Sequence, residues 1–212
     1  MLFDTISDAA TARHLTVLGG LHPKDRPNIG TLLLLGPHEP EFWPQFQRSP
    51  EATDAQPDPM DRWSKRVVTA LAADLGAEAV FPFGGPPFEP FIAWALQTGR
   101  IWTSPVGLLV HDRAGLFVSF RGALAFRDHI PLPKAPRQSP CDSCASQPCK
   151  DACPVEALQA QSYDVAACKS HLRTAAGASC LEAGCLARRA CPLSATYGRL
   201  EAQSAFHMKA FL

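Results

Sequence analysis

The chain of 212 residues is 46% hydrophobic and carries 20 basic and 20 acidic side chains, for a formal net charge of zero. That composition excludes a disordered chain, and the balance of charge argues against the basic footprint of a general nucleic-acid binder. The longest apolar runs, such as "TLLLLG" from Thr31, are too short to cross a bilayer, and "MLFDTISDAA" lacks the basic and apolar regions of a secretory signal. No membrane association is therefore expected, and the expected compartment is the reducing cytoplasm.

In chain order, "HLTVLGGL" (His14 to Leu21) and "GTLLLLG" (Gly30 to Gly36) read as short strands bounded by Gly and Pro. The acidic, Pro-rich stretch from Gly36 to Pro59 reads as a loop. "DPMDRWSKRVVTALAADLG" predicts a helix capped by Asp58, with Pro59 in its first turn and Gly76 at its end. Trp63, Val67, Leu71 and Leu75 would form its buried stripe. Ala79 to Phe81 predicts a strand, "GGPP" a turn, and "FEPFIAWALQTG" a second helix ending at Gly99. Val106 to Phe126 predicts two strands around a turn at His111 to Gly115. "RDHIPLPKAPRQSP", with four prolines in fourteen residues, reads as an extended linker.

All eight cysteines follow that linker, which divides the chain into a cysteine-free part (1–135) and a cysteine-dense part (136–212). The first group is Cys141-x2-Cys144-x4-Cys149-x3-Cys153-Pro154. It matches the bacterial ferredoxin run C-x2-C-x2-C-x3-C-P except for two extra residues before the third cysteine. Close spacing lets one loop bring several thiolates to one cluster with little closure entropy. "PVEALQA" after Cys153 is expected to continue as a helix. The second group, Cys168, Cys180-x4-Cys185-x5-Cys191-Pro192, repeats the Cys-Pro ending. Eight cysteines with two Cys-Pro ends fit two 4Fe-4S clusters. In two-cluster ferredoxins the cysteine before proline serves the other cluster. That exchange assigns Cys141, Cys144, Cys149 and Cys191 to one cluster, and Cys153, Cys168, Cys180 and Cys185 to the second.

Three other uses of the cysteines fit less well. Zinc sites are often built from paired C-x2-C motifs, and this chain has a single C-x2-C. Disulfides need an oxidising compartment. Eight unligated thiols at these spacings would leave reactive groups without a use.

From about Pro105 onward, the β segment "GLLVHDRAGLFVSFRGALAF", the lone-cysteine phrase "YDVAACKSHL" and the closing "SCLEAGCLARRACPLS" resemble the iron–sulfur part of epoxyqueuosine reductases and reductive dehalogenases. The cysteine order agrees with that family, while the spacings Cys144-x4-Cys149 and Cys180-x4-Cys185-x5-Cys191 depart from it. The stretch from Asp58 to Phe91 further resembles small bacterial ferredoxin-like proteins of unassigned role. The resemblance implies an α+β chain, with a trimmed nitroreductase-like α/β domain over 1–135 followed by a ferredoxin-like two-cluster domain over 136–212. It also implies the same ligand partition, and electron transfer from the clusters to a cobalamin in the upstream domain. No substrate acid or cobalamin motif of the family maps onto these residues. Twenty-one residues follow Cys191, without a tRNA-binding repeat region. Two alternatives remain open: a stand-alone electron carrier whose first domain docks a redox partner protein, and a cobalamin-trafficking protein with structural clusters.

Outside the cysteines, His111 and His129 read as turn or surface residues. His171, three after Cys168, is either a hydrogen-bond donor to cluster sulfur or an exposed helix position. Arg188 and Arg189 offset thiolate charge, dock an acidic electron partner, or form a solvated pair. "FPFGGPPFEPF" is expected to pack in the core, with a cofactor-pocket wall as the alternative. Tyr163 and Asp112 are candidate proton donors that no spacing selects.

Overall fold

A computed structural model describes residues 2–136 and 138–212. The elements in order are α1 (Phe3–Thr11), β1 (Leu15–Leu21), β2 (Thr31–Pro37), α2 (Phe42–Gln47), α3 (Pro50–Thr53), α4 (Pro59–Leu75), β3 (Glu78–Val80), α5 (Phe91–Gln97), β4 (Ile101–Thr103), β5 (Leu109–His111) and β6 (Gly122–Phe126). They continue with α6 (Val165–Leu172), a 3-10 turn (Ala175–Gly177), α7 (Ala178–Ala183), α8 (Leu186–Ala190), α9 (Pro192–Thr196) and α10 (Glu201–Phe211). Helix and sheet are mixed, and among the described residues no helix is long and apolar enough to cross a membrane.

The chain forms two compact units, Met1–Arg100 with Ser119–Pro136, and Ile101–Val118 with Arg137–Leu212. The cysteine-dense unit is therefore not one contiguous segment. It recruits Ile101–Val118 because Val106, Val110 and Leu116 share a core with Leu158, Ala187, Cys149 and Cys191.

In the first unit a four-stranded sheet runs in the order β1-β2-β6-β3, antiparallel at every pairing. The unit's pairing is thus α+β and lacks the parallel crossovers that define a doubly wound α/β sheet. Every residue of β2 and β6 is buried, as befits central strands covered on both faces. Removing each leucine of "TLLLLG" from water contributes about 1.5–3 kcal/mol. Helix α4 buries Met60, Trp63, Ser64, Val68, Leu71 and Ala72, so its inner stripe runs through Val68, with Val67 and Leu75 half-buried. Gly76 ends it at φ 65°. Asp58 differs from expectation. It sits at φ 50°, its side chain makes no cap, and its carbonyl accepts from Arg62 N at 3.0 Å.

The acidic stretch expected to be a loop forms α2 and α3. Phe42, Trp43 and Phe46 are buried, and Trp63 meets the Phe42 ring edge-on at 5.1 Å. Ser49 Oγ accepts from Ala52 N to start α3. Glu51 on α3 is nearly buried and takes a two-point bond from Arg66, at 2.5 and 2.9 Å. That bond holds the Glu51 carboxyl below its ordinary range. A lowered folded pKa gives stability that is present above the ordinary carboxylate pKa and is lost as pH falls through the lowered value. Arg66→Gln is expected to cost about 1 kcal/mol at neutral pH, because the arginine is half-exposed. Thermal melts of both proteins should converge as the pH is taken below the folded Glu51 pKa.

The aromatic stretch after β3 does not enter the core as a block. Phe91 and Trp94 are buried, Phe81 and Phe83 pair half-buried at 5.2 Å, and Phe88 is exposed. His129 is exposed and stacks on His22 at 3.6 Å. The linker is tied to the sheet through Thr31, whose hydroxyl donates to Asp128 O and accepts from Ile130 N, both at 2.8 Å.

In the second unit β4 and β5 form a hairpin pairing Trp102 with Val110. The two strands expected within 106–126 form, with His111 and Gly115 bridged at the turn between them, but they do not pair with each other. β5 turns to β4, while β6 pairs with β2 and β3 in the first unit. The apolar character of this stretch marks burial, complete along β6, and carries no information about the partner strand.

Candidate metal centre

The eight cysteines occupy short loops and short helices of the second unit, and all are free thiols. Cys141, Cys144, Cys149 and Cys153 lie on successive turns held by Cys144 N to Cys141 O, Lys150 N to Gln147 O and Glu156 N to Cys153 O. The helix expected at "PVEALQA" does not form. Glu156 adopts φ 49°, Ala157 N donates to Cys153 Sγ at 3.3 Å, and Leu158 bridges to Tyr163. A donor spent on sulfur is a donor withheld from a helix. Cys168 lies in α6, whose first turn is capped by Asp164 Oδ1 accepting from Ala167 N at 2.8 Å. Cys180 lies in α7, Cys185 precedes α8, and Cys191 separates α8 from α9, where Pro192 takes the first helical position.

Folding brings the thiols into two electrostatic neighbourhoods. Burial raises the pKa of Cys141, and the sulfurs of Cys191 and Cys144 raise it further. Burial raises Cys149 likewise, with Cys191, Cys141 and Cys144 adding to it. Cys180 is raised by burial and then by Cys185 and Cys153. The Tyr163 hydroxyl is held far above the ordinary phenol range by burial, by its hydrogen bond to Cys168 and by the nearby Cys185. One neighbourhood thus contains Cys141, Cys144, Cys149 and Cys191. The other contains Cys153, Cys180 and Cys185, with Cys168 joined to Cys185 through Tyr163. Cys149 and Cys191 are buried in a shared apolar core, with Cys141 and Cys185 packed against it. Among the described residues, no three His, Cys, Asp or Glu side chains meet closely enough to hold a single ion directly. A four-iron cluster places an iron beneath each thiolate and so spans a wider set than zinc does.

Residues that spacing did not select complete the surroundings. Gly115, at φ 57°, brings the β5 turn against Cys191, and a Cβ there would lie 3.0 Å from Cys191 Sγ and 2.5 Å from Ser194 N. Ser194 is buried and its Oγ accepts from Leu116 N at 2.9 Å, which ties the same turn to the start of α9. His111 is a turn residue, but buried. Its Nδ1 accepts from Arg113 N and Ala114 N at 3.0 Å, and its Nε2 lies 3.2 Å from Asp112 Oδ1. The hydrogen bonds accepted by His111 Nδ1 organise this turn, and Asp112 lies beside the other ring nitrogen.

Arg188 and Arg189 do not form a solvated pair. Arg188 donates to Leu116 O, lies near Cys185 and Tyr163, and has its pKa lowered by burial. Arg189 donates to Ser179 Oγ at 2.7 Å and Gly184 O at 3.0 Å, and its charge acts on Cys180. His171 is half-buried, and its Nε2 is enclosed without a hydrogen-bond partner among the described residues. It lies three residues after Cys168 in α6, so both side chains start from one side of the helix. An enclosed imidazole nitrogen without a partner is costly unless a further acceptor completes it. The donor chemistry of these residues, thiols with N–H and O–H donors on sulfur, suits iron–sulfur ligation, the second group having three thiols in mutual electrostatic reach and Cys168 joined through Tyr163.

No protein-family model, curated protein or solved structure matches this chain.

Proposed function

We propose that the protein is an iron–sulfur electron-transfer protein, with one 4Fe-4S cluster held by Cys141, Cys144, Cys149 and Cys191 and a second by Cys153, Cys168, Cys180 and Cys185. The observation that carries this reading is the grouping of the thiols. Cys191 shares a buried core with Cys149, and Cys153 lies within electrostatic reach of Cys180, which is the pattern the ferredoxin exchange predicts. Such clusters supply one-electron chemistry. The chain's own contribution is to bury the thiolates, direct N–H and O–H donors at sulfur, and place cationic side chains beside them.

On this reading the first unit is a shortened counterpart of the upstream domain of the cobalamin-dependent reductases, and the clusters pass electrons to an acceptor there or on a partner protein. Purification without oxygen, iron and sulfide reconstitution, and titration with hydroxocobalamin and then flavin separates these roles. A cofactor-dependent change in the visible spectrum supports an acceptor bound to the first unit. No change with either cofactor leaves a carrier that docks an external redox partner.

A further inference from the structure

We infer that the two cysteine sets are electrostatically unequal, and that Tyr163, Arg188 and Arg189 make the Cys153, Cys168, Cys180 and Cys185 set the one on which an added electron settles. This asymmetry presupposes the iron–sulfur reading and gives it a direction. An electron taken from a low-potential donor makes a thiolate-ligated cluster more negative. Adjacent cationic groups and donors aimed at sulfur stabilise that form, and apolar surroundings oppose it.

Two members of the first set sit in the apolar core, against which Cys141 and, from the second set, Cys185 also pack. Cys149 and Cys191 are packed with Val106, Val110 and Leu116. Its donors are the Ser139 hydroxyl at Cys141 and a backbone N–H at Cys149, and the nearby charge is the Asp142 carboxylate, which repels further negative charge. The second set has donors around it. Ala157 N–H reaches Cys153 Sγ at 3.3 Å, Leu186 N–H reaches Cys180, and the Tyr163 hydroxyl reaches Cys168. Two guanidinium groups accompany it, and both are fixed in place, Arg188 by Leu116 O and Arg189 by Ser179 Oγ and Gly184 O. Charge and hydrogen bonding therefore act in the same sense. The second set has the higher potential, and the first serves as the entry or transit site.

Reductive titration of the reconstituted full chain, followed by electron paramagnetic resonance, tests this. The wild type is expected to show two separated one-electron waves. Tyr163→Phe and Arg189→Gln should each move the higher wave downward and leave the lower in place, whereas Ser139→Ala should move the lower wave. Tyr163 is part-exposed, so its conservative replacement keeps the test available if Arg189→Gln does not fold. Full iron content with a single unsplit wave, or with the Tyr163 and Arg189 variants moving the lower wave or neither, overturns the inference alone. A chain that takes up no iron overturns the iron–sulfur reading and the inference with it.

Discussion

Cys191→Ala is expected to lower the iron content of the reconstituted chain by about half, removing the cluster of Cys141, Cys144 and Cys149 and sparing the second. The expectation runs against linear order, in which Cys191 closes the group begun by Cys180 and Cys185. It follows from the fold. Cys191 is buried in the core that holds Cys149, with Cys141 packed against it, and its charge acts on both. Cys153→Ala is the reciprocal case, because Cys153 acts on Cys180. That variant should lose the other half of the iron, and the remaining spectrum should differ from that of Cys191→Ala. If Cys153→Ala instead removes the cluster that Cys191→Ala removes, the partition is wrong. Metal binding is coupled to folding, so each variant should also melt at lower temperature than the loaded wild type.

Gly115→Ala is the second large effect. At φ 57° any side chain other than glycine costs about 1–2 kcal/mol. The new Cβ would also meet Ser194 N at 2.5 Å, Ser194 Oγ at 2.7 Å and Cys191 Sγ at 3.0 Å. The first of these is backbone at the start of a helix and cannot rotate away. Overpacking of this kind adds about 1–3 kcal/mol, for a total of roughly 3 kcal/mol. At about 2–4 °C per kcal/mol, Tm should fall by roughly 6–12 °C. Because the displaced groups are Cys191 and its neighbours, iron uptake at the first set should suffer along with stability. Gly76→Ala is the control. Gly76 has a similar φ of 65°, but a Cβ added there would meet no atom within 4 Å. It should cost only about 1 kcal/mol and leave iron content unchanged.

Local patterns were legible where local energetics decide the outcome. β1 and β2 follow from apolar runs between Gly and Pro, and α4 follows from its periodicity, with Pro59 at its start and Gly76 at its end. The cysteine groups were legible because ligand spacing is itself a local property. The misreadings have different causes. "PVEALQA" has a helical composition, yet Ala157 N–H goes to Cys153 sulfur and Glu156 takes a positive φ, so a tertiary demand overrides propensity. The segment Phe42 to Gln47 forms a helix because its aromatic side chains have a core to enter, which composition alone does not reveal. The strands within 106–126 part company because an apolar run signals burial and leaves the partner open.

Near the cysteines, the contributions of Gly115, Ser194 and Ser139 were invisible in sequence. Each depends on contact between distant segments or on a backbone angle. Gly115 looks like any turn glycine until Cys191 is seen against it. Arg188 and Arg189 are ambiguous in sequence, and the carbonyl and hydroxyl groups that orient them appear only in the fold.

Iron and acid-labile sulfide content of the anaerobically reconstituted chain, with Mössbauer spectroscopy to identify the iron, bears most directly on the two-cluster assignment. Two cubanes require about eight iron and about eight sulfide per chain, all in 4Fe-4S form. Fewer than about six iron after full reconstitution, or stoichiometric zinc without sulfide, would contradict the assignment.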